Sequence, residues 1–288
     1  MPKSLLTYRN IEELKSDLLG RFCNGVCRGE FFLFDGKDFK ACTCMQEFTR
    51  RRKLIGCNIP QKYWDFSQKK LSKDFRIKNE KNVSSVLEYA NNISLMLQQH
   101  VGLYLVGPSG TAKTALGTLV LQKALEQGIE SYFIRLSDLV RILFDCRRSV
   151  ERIYDSYEIQ QVTRNREVLR CITEEVKILM IDEIDKVSNV SQEEAYFGML
   201  VGEFFDTMYG RNKILITTSN RKLSELKAGG RKASSVSDIN RAASGTLPES
   251  TIDRLSELVE LEFIGSSFRR SKKPEDIMTL IQEHKHVG

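Results

Sequence analysis

Eight consecutive residues, Gly107, Pro108, Ser109, Gly110, Thr111, Ala112, Lys113 and Thr114, carry the most specific chemistry in this chain. Two glycines let a loop turn tightly and let its backbone approach a ligand. N–H groups of such a loop, set at the start of a helix, bind phosphate oxygens. Lys113 adds an ammonium for the β- and γ-phosphates, and the Thr114 hydroxyl adds a ligand for Mg²⁺. The chemistry implied is nucleoside triphosphate binding. Ala112 stands where such a loop usually has its last glycine. Its methyl group fits if the backbone there is near-helical; otherwise it narrows the loop and slows turnover.

Two further sites can complete a hydrolytic centre. Asp182 and Glu183 end the apolar run that starts at Lys177. Carboxylates at the C-terminal end of a buried parallel strand face the crevice where nucleotides bind. Asp182 would hold Mg²⁺, and Glu183 would orient and polarise the attacking water. Asn220 follows the run Lys213 to Thr218, and its amide could reach the γ-phosphate and that water.

A separate cluster has metal-ligand character. Five of the seven cysteines lie in the first 57 residues. Cys23 and Cys27 form one short-spaced pair, and Cys42 and Cys44 another. Four thiolates enclose Zn²⁺ tetrahedrally, and the metal would hold together a segment too small for its own core. Cys57 is an alternate ligand, but its place before Asn58-Ile59-Pro60 suits buried packing better.

These residues need elements to position them. The apolar run Val101 to Val106 precedes the loop, and a helical pattern, Ala115 to Gln127, follows it. Strand, glycine loop and helix are the context of a P-loop. Strands expected near 102–106, 131–135, 177–181 and 213–218 alternate with helical segments, including one over Ser84 to Gln99. That alternation predicts an α/β fold, a parallel sheet with helices on both faces. Three domains are expected: a cysteine module over 1–57, a connector over 58–82, and a nucleotide-binding domain over 83–288. The connector is basic, since residues 50–81 hold eleven Lys or Arg against three Asp or Glu. A short helix from Ile11 to Leu19, a Gly/Ser-rich insert at 227–249 and a final amphipathic helix complete the expected organisation.

Composition sets limits. The chain has 288 residues, 41% hydrophobic and 28% charged, and a net charge of +6. These values suit a globular protein and permit a polyanionic partner. No apolar run approaches the roughly 20 residues of a membrane helix, and the opening residues show no secretory pattern. A cytoplasmic location and no membrane partner are expected.

The order of motifs resembles a known family. It runs from the paired cysteines through Asn58-Ile59-Pro60 and Tyr63, the P-loop, Ile181-Asp182-Glu183 and Thr218-Ser219-Asn220-Arg221. It ends in Asp253-Arg254-Leu255 and Phe263 to Arg269. This resembles the DnaC/IstB branch of AAA+ ATPases, and within it the DnaC/DnaI-type loaders of the replicative DNA helicase, some of which carry an N-terminal zinc module. The resemblance implies an ATPase using ATP, Mg²⁺ and Zn²⁺. It implies Asn220 as sensor, Arg254 as a finger reaching a neighbouring subunit's γ-phosphate, and Arg269 (or Arg270) as a second sensor in its own subunit. It places Ile59 and Tyr63 near the adenine. The implied partners are a hexameric helicase gripped by the zinc module, further copies of the chain through the AAA+ interface, and single-stranded DNA. The DNA would meet an arginine-rich stretch, 141–170, through an extra helix lining a pore. An IstB-type transposition helper and a nucleotide-binding adaptor with negligible hydrolysis remain alternatives.

Overall fold

The computed structural model describes residues 13–16, 18, 22–23, 25–149, 155–186, 194–228 and 247–265. Arg152, Arg269, Arg270, the final helix, most of the 227–249 insert and much of the first helix lie outside them.

After helical residues at 13–16 and 18, the described chain forms an antiparallel hairpin, β1 (Phe32–Phe34) and β2 (Phe39–Ala41). Four helices follow: α1 (Thr43–Gly56), α2 (Lys73–Lys78), α3 (Glu80–Asn91) and α4 (Ile93–Gln98). The last two replace the single helix expected over 84–99. The break falls at Asn92, whose side chain donates to the Glu88 carbonyl at 2.9 Å and so competes with continued helix.

The remainder alternates strand and helix: β3 (Leu103–Val106), α5 (Lys113–Glu126), β4 (Ser131–Arg135), α6 (Leu136–Arg147), α7 (Ser156–Glu174), β5 (Ile178–Asp182), α8 (Glu194–Gly210), β6 (Ile214–Ser219), α9 (Leu223–Ala228), α10 (Glu249–Leu255) and β7 (Val259–Glu262). Five strands form one parallel sheet in the order β4-β5-β6-β3-β7. The four expected strands are present. The fifth, β7, was not anticipated, because Val-Glu-Leu-Glu on a short, largely exposed edge strand has no apolar run to mark it.

Successive strand residues feed two cores. Tyr104 and Val106 join Ile134, Leu179, Ile181 and Phe205 on one face. Leu103 and Leu105 join Leu116, Val120, Phe133, Met180 and Ile216 on the other. Burial on both faces is why the strands read as continuous apolar runs. Helix α1 belongs to two regions. Cys44 in its first turn packs with Cys27, Phe31 and Cys42, whereas Leu54 near its end joins the sheet core. Just beyond it, Cys57 is buried: its thiol donates to the Ser131 carbonyl at 2.7 Å, and Phe133 N–H donates to the Cys57 carbonyl at 2.9 Å. The 58–82 segment also packs on the sheet core, through Leu71 and Phe75.

Candidate active site

Strand β3 delivers the chain into the glycine loop. Gly107 has φ +150°, and a Cβ there would lie 2.1 Å from the Phe263 carbonyl oxygen. The backbone leaving β7 thus closes over the loop, and only glycine fits beneath it. Of the two alternatives for Ala112, the backbone is not right-handed helical: its φ and ψ are 56° and 13°, the left-handed region. An L-residue pays roughly 1–2 kcal/mol to sit there. Ala112 is half-buried against the core that covers α5, and this packing helps offset the strain.

Helix α5 starts at Lys113, so its free N–H groups open towards the loop. The Lys113 side chain is buried, and its Nζ donates to the carbonyls of Gly107 at 2.7 Å and Pro108 at 2.8 Å and to Asn220 Oδ1 at 3.2 Å. Burial lowers its pKa, while Asp185, Asp182 and Glu183 act to hold the charge. A phosphate placed in the loop would exchange neutral partners for an anionic one.

The strand order explains the rest of the site. Because β6 lies between β3 and β5, its end inserts polar groups between the loop and the acidic pair. Thr114 Oγ1 donates to Asp182 Oδ1 at 2.8 Å, and Thr218 Oγ1 donates to the same oxygen at 2.6 Å. Thr218 in turn accepts the Glu183 N–H at 2.9 Å. Burial raises the Asp182 pKa, and the two hydroxyls oppose that rise. Hard oxygen donors converging in this way suit Mg²⁺, with Thr114 and Asp182 as protein ligands and phosphates supplying others. Glu183 takes a left-handed backbone, φ 57°, and its carboxylate accepts from Lys186 Nζ at 2.6 Å. Asn220 is held by Asp185, which accepts from its backbone N–H and from its Nδ2, both at 3.1 Å.

A cleft of about 390 Å³ joins these groups. Ser109 to Thr114, Glu183 and Asn220 form one side, and Tyr63, Phe66 and Leu71 form an apolar wall. Tyr63 lines this cleft, whereas Ile59, expected beside it near the adenine, does not: it is buried, its N–H bonded to the Leu54 carbonyl and its carbonyl to the Trp64 indole. Phe66 and Leu71 line the cleft instead. Thr218 and Asp185 were also missed. Asp185 could have been noticed as a third acid two residues past Glu183, whereas the Thr218 hydroxyl is hidden at the end of an apolar run.

Arg254 does not line its own chain's cleft. It sits on α10 with its guanidinium 4.2 Å from the centre of the Tyr209 ring, near Asp206 at 3.6 Å and Glu257 at 3.8 Å. The chain towards Arg269 is clamped at Ile264, whose N–H and carbonyl both bond the Asn79 side chain at 2.8 Å.

The cysteines converge as expected. The ligand atoms of Cys23, Cys27, Cys42 and Cys44 lie within 4.8 Å of one another. A tetrahedral zinc thiolate with Zn–S bonds of ~2.3 Å has sulfurs ~3.8 Å apart, so the four fit that ion with small adjustments. The hairpin makes this possible: pairing of Phe32 with Ala41 returns the second cysteine pair to the first.

A strand-loop-helix phosphate cradle beside a strand-end carboxylate pair defines a P-loop nucleoside triphosphatase. Residues 103–235 match the family described as "ATPase family associated with various cellular activities (AAA)". The chain carries an AAA ATPase domain and is an ATPase. Its fold is similar to that of the DnaC helicase loader, with a TM-score of 0.50 and 17% identity over 71% of this chain and 100% of that one. It is also similar to DnaI, at 0.44 and 20% over 73% and 94%. For AMPPCP-bound DnaA from Aquifex aeolicus the values are 0.47 and 15% over 78% and 55%. At these identities the likeness is one of fold. No curated protein matches the chain. Among the described residues no helix is long and apolar enough to cross a membrane.

Proposed function

We propose that this ATPase loads a hexameric replicative helicase onto single-stranded DNA. The observation that carries the reading is the four-thiol module joined by one continuous helix, α1, to the sheet of an AAA ATPase domain. A small metal-held unit rigidly tied to a nucleotide-responsive domain is the architecture expected when hydrolysis must be transmitted to a docked protein. The fold likeness to a helicase loader supports the same reading.

In this proposal residues 1–57 hold zinc and dock on the helicase, 58–82 connect, and 83–288 hydrolyse ATP. Lys113 and the loop N–H groups bind the β- and γ-phosphates, Thr114 and Asp182 hold Mg²⁺, Glu183 orients the water, and Asn220 senses the γ-phosphate. Tyr63 faces the base. Arg254, already turned away from its own cleft, serves the cleft of an adjacent copy, and Arg269 serves its own. Helices α6 and α7 present the DNA-facing arginines.

Affinity capture with mass spectrometry tests the proposal. The full chain with ATP should retain a hexameric helicase, and metal analysis should find one zinc per chain. A Cys42→Ser/Cys44→Ser variant should lose both zinc and helicase yet bind nucleotide normally. Capture of a transposase instead would favour a transposition helper. Wild-type protein without zinc would remove the module's assigned role.

A further inference from the structure

We infer that Asp185 is a positioning residue for ATP hydrolysis, fixing Asn220 so that its amide oxygen, and not its NH₂ group, faces Lys113 and the attacking water. The inference rests on the reading of Asn220 as part of the hydrolytic site.

An asparagine side chain has one accepting end and one donating end. Here one N–H of the donating end is committed to a carboxylate. Asp185 Oδ2 accepts from Asn220 Nδ2 at 3.1 Å, while Asp185 Oδ1 accepts from the Asn220 backbone N–H at 3.1 Å. The two bonds grip main chain and side chain together. Turning the amide over would set its oxygen against a carboxylate and exchange a charge-assisted bond for repulsion between two acceptors. The other end, Oδ1, accepts from Lys113 Nζ at 3.2 Å. Both Asp185 and Asn220 line the cleft.

The consequence is chemical. Once a γ-phosphate draws the Lys113 ammonium to itself, Asn220 Oδ1 is left as an acceptor in the cleft that Glu183 also lines. An acceptor there holds a water proton and so aims the water's lone pair. A flipped amide would offer a donor and hold the water the wrong way round. Asp185 also contributes charge: it is the foremost of the groups that keep Lys113 protonated against its burial.

Steady-state kinetics on full-length Asn220→Ala, Asp185→Ala, Asp185→Asn and the Asp185→Ala/Asn220→Ala double variant test this, with affinity for a non-hydrolysable ATP analogue measured alongside. Asn220→Ala should lower kcat at least about 10-fold. Asp185→Ala should lower kcat by about 10- to 100-fold, with KM and analogue affinity within about 3-fold of wild type. Acting through Asn220, it should cost less than about 2-fold more in the Asn220→Ala background. Asp185→Asn keeps the shape but accepts either amide orientation, so its kcat should fall by at least about 3-fold. That near-isosteric variant decides the matter if Asp185→Ala does not fold. Normal kcat in the Asp185 variants with impaired Asn220→Ala overturns the inference alone, as does a full additional loss in the double variant. Normal kcat in Asn220→Ala overturns the reading of Asn220 and the inference with it.

Discussion

The nucleotide cleft and the arginine-rich helices both concentrate charge, but they assemble it in opposite ways. In the cleft the partners are distant in the chain. Lys113 meets Asn220 across 107 positions, and Thr114 meets Asp182 across 68. On α6 and α7 several of the partners are local. Arg141 pairs with Asp138 three residues away, and Arg170 with Glu167, Glu174 and Glu175, all within five residues. Arg147 reaches Glu203 on α8, and Arg148 reaches Glu158 at 2.5 Å. Local pairs at helical spacing solvate a surface and are worth only a few tenths of a kcal/mol each. Bringing polar groups together from distant segments and burying them is costly, so such convergence marks a site maintained for its chemistry. Arginine density in sequence is therefore a weaker guide to DNA contact than it first appears.

The largest expected effect lies at the cleft. Glu183→Gln should slow turnover by about 100-fold or more while ATP remains bound, since Mg²⁺ ligation is spared and water activation is lost. Single-turnover assays with a filter-binding control check it. Hydrolysis at the normal rate would move the catalytic carboxylate elsewhere and weaken the contrast between the two regions.

A smaller effect separates arginines within α7. Arg164 is exposed and bonded to no acid among the described residues, whereas Arg170 is saturated by three glutamates. If this surface tracks DNA phosphates, Arg164→Gln should weaken single-stranded DNA binding by about 3- to 10-fold and flatten its salt dependence. Arg170→Gln should change it by less than about 2-fold. Fluorescence anisotropy across a salt series distinguishes them, and equal effects would mean that local pairing does not silence an arginine.

The smallest effect is on stability. Burial raises the Asp182 pKa above its unfolded value, so its ionisation on folding is unfavourable. Wild-type stability from this group is present below the ordinary aspartate pKa and is lost as pH rises through the raised value. Asp182→Asn keeps the Oδ1 that accepts from Thr114 and Thr218. Without nucleotide, its Tm should exceed wild type by a few degrees at neutral pH, about 2–4 °C per kcal/mol in a domain of this size. The gap should close on acidification. Calorimetry at pH 7.5 and pH 4 reads it, and a lower Tm for the variant at both would show that the carboxylate stabilises the empty site.

The legibility of the molecule divides along the same line. The four inner strands could be read because each is buried on both faces, which writes an unbroken apolar run. The phosphate loop could be read because its glycines, lysine and threonine are contiguous. The cysteine cluster was legible from two short spacings. What escaped depends on tertiary placement. Strand β7 is an edge element whose glutamates resemble loop. Ile59 points into the core, and Phe66 and Leu71 take the wall of the cleft, an exchange no local pattern records. Thr218 and Asp185 meet the other polar groups of the cleft only because β6 lies between β3 and β5.

Ala112 has a consequence for the empty loop. A glycine at that position would be free to wander through both halves of backbone space, and the loop would sample many shapes before any phosphate arrived. The alanine methyl group removes much of that freedom from the disordered state as well as straining the ordered one. That narrowing favours right-handed and extended shapes, so the left-handed turn at φ 56° runs against the residue's own preference. The turn is kept by what surrounds Ala112, its half-buried methyl contact with the core over α5 included, and not by the residue itself. Loosening that packing would therefore be felt first in the phosphate cradle.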